Sequence, residues 1–315
     1  MRALHVPAAG AEITLGEVPT PTVTEGTVLV RVKAAGLNAI DNGLASGMMA
    51  GMIPHQYPLV LGRDAAGIVE AVGDGVDAIA VGDEVLGHVL LAPPVQAGTI
   101  AEYAVLPVAT VVAKPANLDF VTAAALPLAG AAAAQAVDAV DPQPGQTVLV
   151  NGADGGVGSY AVQLLAARGV HVIATGKPES VERLRSLGAS TVIDYKNVDV
   201  VERVRAAYPD GVDALVNVGG FDPTGVPVGA VRSGGKLAST TVEPDADTLA
   251  TAGVTSTAIM ATPLRDIVGP LVEQAAAGTL KVDVADVIAF DQAATGLATL
   301  AAGKANGKLV VRVDG

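Results

Sequence analysis

The stretch VLVNGADGGVGSYAVQLL, residues 148–165, constrains the fold of this chain more than any other. A β-branched run breaks into glycines and resumes as an apolar repeat at helical spacing, so a strand must turn directly into a helix. Against the pattern G-x-G-x-x-G the turn reads Ala153, Gly155, Gly158: the second and third glycines are present and the first is alanine. The second glycine lets the backbone approach a pyrophosphate, and the third lets helix and strand pack closely. A helix N-terminus at 156–159 then offers unpaired N–H groups and a positive dipole end to an anion. The reading is a phosphate-binding turn; the alternative is a tight corner that holds nothing.

The surrounding rhythm supplies the context such a turn requires. From about residue 121, strand and helix alternate: TVLVNG and a helix through Arg168, VHVIAT and ESVERLRSLG, STVIDY and DVVERVRAAY. Three further strands follow in DALVNVGG, GGKLAST and VTSTAIM. Such alternation implies parallel pairing with right-handed crossovers, hence a doubly wound sheet. The earlier residues read differently, as β-branched runs between Gly, Asp and Pro punctuation, the pattern of a small barrel or sandwich. After Thr262 come an amphipathic helix, the strand VADVIAF, a short helix and a terminal strand KLVVRV, which is expected to pair back onto the first half. A length of 315 residues suits two domains at roughly 150 residues each.

Composition narrows the function classes. Hydrophobic residues make up 50% of the chain and charged residues 16%, enough for a large core. A net charge of -13 with scattered Lys and Arg disfavours nucleic acid and anionic membrane surfaces. The absence of cysteine excludes disulfides, thiolate metal sites and a cysteine nucleophile. Glu12, Glu17 and two prolines interrupt any secretory h-region in the first twenty residues, and the expected location is the cytoplasm. The apolar run at 121–137 is mostly alanine, is interrupted by Pro127, Gly130 and Gln135, and reads as buried helix.

Cofactor choice follows from the tip of the second strand of the doubly wound sheet. NAD sites place an acid about 20 residues past the glycines to hold the ribose 2′-hydroxyl. Here the tip reads Thr175, Gly176, Lys177, leaving room and positive charge for a 2′-phosphate, so the expected cofactor is NADPH, although Glu179 lies close by.

Nearly the whole chain resembles the zinc-free quinone oxidoreductase branch, zeta-crystallin-like, of the medium-chain dehydrogenase/reductase superfamily. The resemblance is carried by GTVLVRVKAAGLNAID, YPLVLGRDAAGIVEAVGDGVDAIAVGDEVLG, GTIAEYAVLP, AALPLAG, PGQTVLVNGADGGVGSYAVQLL, LGASTVIDY and GKLVVRV. It implies an α/β architecture with a GroES-like barrel domain at 1–119, completed by 258–315, and a Rossmann domain at 120–257. It also implies that Asn38 stands near nicotinamide and substrate, that Gly155, Gly156, Val157 and Gly158 hold the pyrophosphate, and that Thr175, Gly176, Lys177 and Tyr195 surround the adenosine phosphate. Val218, Gly219, Ser239, Thr240, Asn306 and Lys308 would line the rest of the cofactor. Relatives commonly form homodimers through Rossmann sheet edges, for which VTSTAIM is the candidate here.

The departures from the family pattern are equally specific. Zinc alcohol dehydrogenases of the superfamily carry Gly-His-Glu where this chain has Gly62, Arg63, Asp64, and they use cysteine ligands that are absent here. Alanines 131–134 replace a Leu-Thr-Ala-Tyr segment, which removes a hydroxyl near the nicotinamide and suggests a changed pocket. Without a Lewis acid, the favoured hydride acceptors are already activated: quinones, or alkenes conjugated to a carbonyl. Tyr57, His55 and His88 lie in loops of the first domain and are the candidates for a proton-handling role, Tyr57 entering with packing as its alternative. Two further readings remain: an enoyl-thioester reductase, and a dinucleotide-binding redox sensor or structural protein with little turnover.

Overall fold

Val28, Val30, Val32 and Ala34 point inward from the strand Thr27–Gly36 while the residues between them are half-buried, the period-two pattern of a strand with one face on a core. This strand pairs antiparallel with Asp64–Val72, Tyr103–Pro107 and Lys308–Arg312. It thereby organises a seven-stranded sheet in which Val284–Ala289, Lys308–Arg312, Thr27–Gly36, Asp64–Val72, Glu84–His88 and Val112–Ala113 lie in that order. A three-stranded antiparallel sheet of Thr14–Glu17, Arg2–Val6 and Leu59–Val60 accompanies it. The core between them draws on both ends of the chain, with Val30, Leu61 and Ile100 packed in one cluster with Phe290, Leu297 and Val311. The C-terminal strand thus pairs back onto the first half as its sequence suggests.

The computed structural model describes residues 1–313. These sheets belong to a unit made of Met1–Leu128 and the segment from Thr262 onward; residues Ala129–Ala261 form a second unit. The second unit is a six-stranded sheet ordered Thr191–Asp194, His171–Gly176, Thr147–Asn151, Val212–Asn217, Val231–Ser239, Thr255–Ala258, with every neighbouring pair parallel. Counted along the chain this is the order 3-2-1-4-5-6 of the doubly wound dinucleotide fold, whose ligand crevice lies where the order reverses, between the first and fourth strands. Thr147–Asn151 and Val212–Asn217 flank that point. Thr255–Ala258 is an edge strand and largely exposed.

The alanine-rich run at 121–137 divides into two helices, Phe120–Ala124 and Pro127–Val140. Asp119 caps the first by accepting from the Thr122 N–H at 2.7 Å, and Pro127 opens the second, where its missing N–H is of no consequence. No helix among the described residues is long and apolar enough to cross a membrane.

Candidate functional site

The glycine turn sits at the carboxyl end of Thr147–Asn151 and leads into the helix Gly156–Ala167, with Gly155 as its N-cap. A Cβ on Gly158 would lie 2.3 Å from the Gly152 carbonyl oxygen and 2.5 Å from Ala153 Cα, so packing of helix against turn forbids a side chain there. Gly155 differs, because a Cβ there would meet nothing nearer than the Gly152 oxygen at 3.5 Å. Nothing among the described residues requires glycine at 155, and the space it leaves opens beside the first-turn amides of Gly156, Val157 and Gly158, which have no acceptor within the helix. Such a cradle fits an anion that approaches the backbone closely.

One end of the turn carries the adenosine-side candidates. Gly176 is buried, and a Cβ there would press on Leu184 Cδ1 at 2.7 Å. The Lys177 N–H donates to Asp154 Oδ2 at 3.0 Å, and Arg183 Nη2 donates to the Asp154 carbonyl at 2.8 Å. Tyr195 is 41% exposed just beyond the third strand of this sheet. Partial burial, with the carboxylates of Asp154, Glu179 and Asp194, pushes its phenol above the ordinary tyrosine range. Arg183 was not singled out from sequence; its signal is a basic residue six positions past Lys177 on the helix that follows the second strand of this sheet.

Polar side chains line the strand ends of the second unit. Thr175 is fully buried; its hydroxyl accepts from the Gly152 N–H at 2.9 Å and donates to Asn151 Oδ1 at 3.1 Å. Asn151 Nδ2 donates to Asn217 Oδ1 at 2.9 Å, and Asn217 Nδ2 donates to Ser239 Oγ at 3.0 Å. Ser239 in turn donates to the Val242 carbonyl at 2.6 Å. Val218 and Gly219 are half-buried at the end of the fourth strand, and the Thr240 N–H donates to the Asn217 carbonyl at 3.0 Å. The hydroxyls of Thr175 and Ser239 are therefore engaged inside the protein, and sequence reasoning passed over Asn151 and Asn217.

In the first unit, Asn38, Asp41, Arg63, Asp64, His88 and Lys308 form a polar centre in which each residue is at most 9% exposed. Asp64 Oδ1 accepts from the Leu128 N–H at 3.1 Å and lies 2.8 Å from His88 Nδ1; Oδ2 accepts from Asn38 Nδ2 at 2.9 Å. Burial alone would raise the Asp64 carboxyl, but the His88 hydrogen bond, the Lys308 ammonium and the Asn38 amide hold it below the ordinary carboxylate range. An ionised Asp64 can only accept, so His88 Nδ1 carries the proton between them. Lys308 Nζ donates to Leu37 O at 2.8 Å and Asn38 Oδ1 at 2.6 Å and stands 3.5 Å from Asp64 Oδ2. Burial pulls Lys308 below the ordinary lysine range against the pull of Asp64 and Asp41; three acceptors around one Nζ are the coordination of an ammonium. The amide of Asn38 and the head of Lys308 are thus committed to this centre.

Asp41 completes it less comfortably. Burial pushes its carboxyl up to about 6, opposed by Arg63, the Asn38 N–H and Lys308. Its Oδ2 accepts from that N–H at 2.9 Å, whereas Oδ1 has no hydrogen-bond partner among the described residues. Arg63 donates through Nη2 to the carbonyls of Ala97 and Val60, but its Nε and Nη1 are buried without hydrogen-bond partners among the described residues. Burial lowers the Arg63 pKa, with Asp41 and Asp64 opposing.

Elsewhere in this unit, Tyr57 is half-buried against the core, 6.4 Å ring to ring from His55, whose two ring nitrogens are buried without hydrogen-bond partners among the described residues. Asn306 is half-buried in the bend before the C-terminal strand. These residues do not fit a catalytic zinc. Arg63 and Lys308 bring two cations to Asp64, whose oxygens are already occupied, and no group of three or more His, Asp or Glu among the described residues is placed to hold a metal.

Residues 24–116 match the alcohol dehydrogenase GroES-like domain family and residues 156–267 the zinc-binding dehydrogenase family. The chloroplast envelope quinone oxidoreductase homolog of Arabidopsis thaliana is 34% identical over 249 residues, 76% of this chain and 73% of that one. The 2-methylene-furan-3-one reductase of Solanum lycopersicum is 33% identical over 305 residues, 93% of this chain and 74% of that one. In several other curated relatives the matched stretch spans little more than half of their length. Among solved structures, the Escherichia coli quinone oxidoreductase complexed with NADPH superimposes with a TM-score of 0.86 at 25% identity, covering 99% of each chain.

Proposed function

Because the chain belongs to the zinc-free quinone oxidoreductase branch of the medium-chain dehydrogenase/reductase superfamily, a family of oxidoreductases with a GroES-like and a Rossmann domain, we propose that it transfers hydride from NADPH to quinones or α,β-unsaturated carbonyl compounds. The observation that carries this reading is Gly155: a glycine that protein packing does not demand, at the head of a 12-residue helix, in the turn that follows a strand flanking the switch point.

The amides of Gly156, Val157 and Gly158 would hold the pyrophosphate, and Lys177, with Arg183 and Tyr195, would hold the 2′-phosphate of NADPH. The Lys177 main-chain N–H and the Arg183 guanidinium both bond to Asp154, which keeps two basic residues next to the glycine turn and in that way supports NADPH over NADH. The nicotinamide supplies the hydride when bound; the protein's part is to bind, orient and exclude water. Arg63 and Lys308 leave no seat for a zinc ion at Asp64, which favours an acceptor that is already electrophilic. In a quinone or an enone the charge moves onto oxygen, where N–H groups or a hydroxyl suffice to stabilise it. The quinone oxidoreductase and the furanone reductase among the relatives support both acceptor classes. The exposed edge strand Thr255–Ala258 supports a homodimer joined across two such sheets; a monomer in light scattering at working concentration contradicts that part.

The test is cofactor oxidation by the purified protein, with NADPH and NADH in parallel, against an ortho-quinone, a para-quinone, a 2-enal and an enoyl thioester. Preferential NADPH consumption with a quinone or the enal is expected. Consumption confined to the thioester moves the assignment to enoyl-thioester reduction, and binding without any turnover moves it to a redox sensor.

A further inference from the structure

The side chains at the strand ends of the second unit form one directed line of hydrogen bonds across four adjacent strands. The Gly152 N–H donates to Thr175 Oγ1, Thr175 to Asn151, Asn151 to Asn217 and Asn217 to Ser239, and Ser239 ends the line on the Val242 carbonyl. Each link fixes the next. Thr175 can give its single proton only once, so Asn151 must turn its oxygen toward it and its NH2 toward Asn217, which then must present its own oxygen to Asn151 and its NH2 to Ser239. Lines of this kind polarise in one sense and strengthen together.

Asn217 is the middle of the line and is fully buried, so it touches no ligand. Its NH2 reaches three acceptors, Ser239 Oγ at 3.0 Å at the end of the fifth strand of this sheet, and Thr241 Oγ1 at 3.2 Å and the Val242 carbonyl at 3.2 Å on the loop that follows it. Its oxygen is tied to Asn151, one residue before the glycine turn. The Asn151–Asn217 bond therefore spans the switch point, joining the half of the sheet that ends in the glycine turn to the half that ends in the 239–242 loop. In a doubly wound fold these are the two mononucleotide-binding halves.

We propose that Asn217 is a positioning residue for the cofactor: it sets the 239–242 loop against the glycine turn, so that the two halves of a dinucleotide are bound together rather than independently. The inference rests on the dinucleotide reading above. It separates two quantities that a merely structural residue would change together, the affinity for the whole cofactor and the affinity for its adenosine half.

The experiment titrates wild type, Asn217→Leu and Asn217→Ser with NADPH and with 2′,5′-ADP by calorimetry; where wild type prefers NADH, NADH and 5′-AMP take their place. Leucine has the volume but none of the hydrogen bonds, and serine is polar but too short to span the gap, so the second variant serves if the first does not fold. The expected result is a loss of about tenfold or more in affinity for the whole cofactor, the size of one or two hydrogen bonds, with affinity for the adenosine half unchanged within about twofold. Parallel loss for both ligands, or loss for neither, in a folded variant overturns the inference while leaving the dinucleotide reading standing. Failure of wild type to bind NADPH and NADH overturns both.

Discussion

Lys308 Nζ stands 3.5 Å from Asp64 Oδ2 with both side chains withdrawn from solvent, although the two residues come from opposite parts of the chain. The pair joins the C-terminal strand to the strand Asp64–Val72 through the side chain of Asn38, which bonds to both. Removing one partner of a buried pair leaves an uncompensated charge, which typically costs about 3–5 kcal/mol. Lys308→Met is expected to destabilise by that order, seen as a lower urea midpoint, and Lys308→Met with Asp64→Asn to lose less than the sum of the single changes. Strict additivity would contradict the coupling.

The polar centre also carries a pH signature. Asp41, raised by burial to about 6 from 3.8, binds a proton in the native state over a range where the unfolded chain releases it. The raised pKa contributes stability that is fully present below about pH 4 and is lost as pH rises through 6. At neutral pH the ionised carboxylate has lost about 3 kcal/mol of that contribution. Asp41→Asn keeps the shape without the titration. The stability of wild type minus that of the variant should therefore fall between pH 4 and pH 7 by about that amount; a flat difference refutes the assignment.

Two glycines of the turn should respond oppositely to a methyl group. Gly158→Ala drives a Cβ into backbone atoms at 2.3 and 2.5 Å and is expected to destabilise by about 1–3 kcal/mol or to prevent folding. Gly155→Ala meets nothing closer than 3.5 Å, so its stability should stay within about 0.5 kcal/mol of wild type while cofactor binding falls sharply. Denaturation and cofactor titration on the same two variants decide the matter, and undiminished binding by Gly155→Ala would remove the pyrophosphate from this turn.

Lys177→Glu tests the choice of cofactor. Replacing the ammonium with a carboxylate beside Asp154 and Glu179 should raise the Kd for NADPH by about tenfold or more, since a charged contact is both lost and reversed. The Kd for NADH should change little. Equal losses for the two would mean that Lys177 does not read the 2′-phosphate.

How far the sequence reaches depends on the range of the interaction. The glycine turn, its flanking strand and helix, and the break at Pro127 are local, written in β-branched runs, helical spacing and backbone restrictions a few residues long. The helices were legible in type but not in extent: ESVERLRSLG forms a single turn at Pro178–Ser180 and then the short helix Val181–Ser186. The return of KLVVRV to the first half was legible, but the registers that bring Asn38, Asp64, His88 and Lys308 together are encoded by no local pattern. Asn151 and Asn217 look like ordinary strand-end residues until the parallel register sets them side by side. Arg63 is the reverse case: the family resemblance places it where zinc alcohol dehydrogenases carry a histidine, and only the structure shows it buried with two nitrogens unpartnered among the described residues.

The proposed reaction is hydride delivery to an activated acceptor without a metal. Its most direct test is product analysis after chelator-treated protein turns over a 2-enal with NADPH deuterated at the transferable C4 position. Deuterium on the β-carbon of a saturated aldehyde, at a rate the chelator does not change, is the predicted result. Deuterium on the carbonyl carbon of an allylic alcohol, or activity lost with the chelator and restored by zinc, would contradict it.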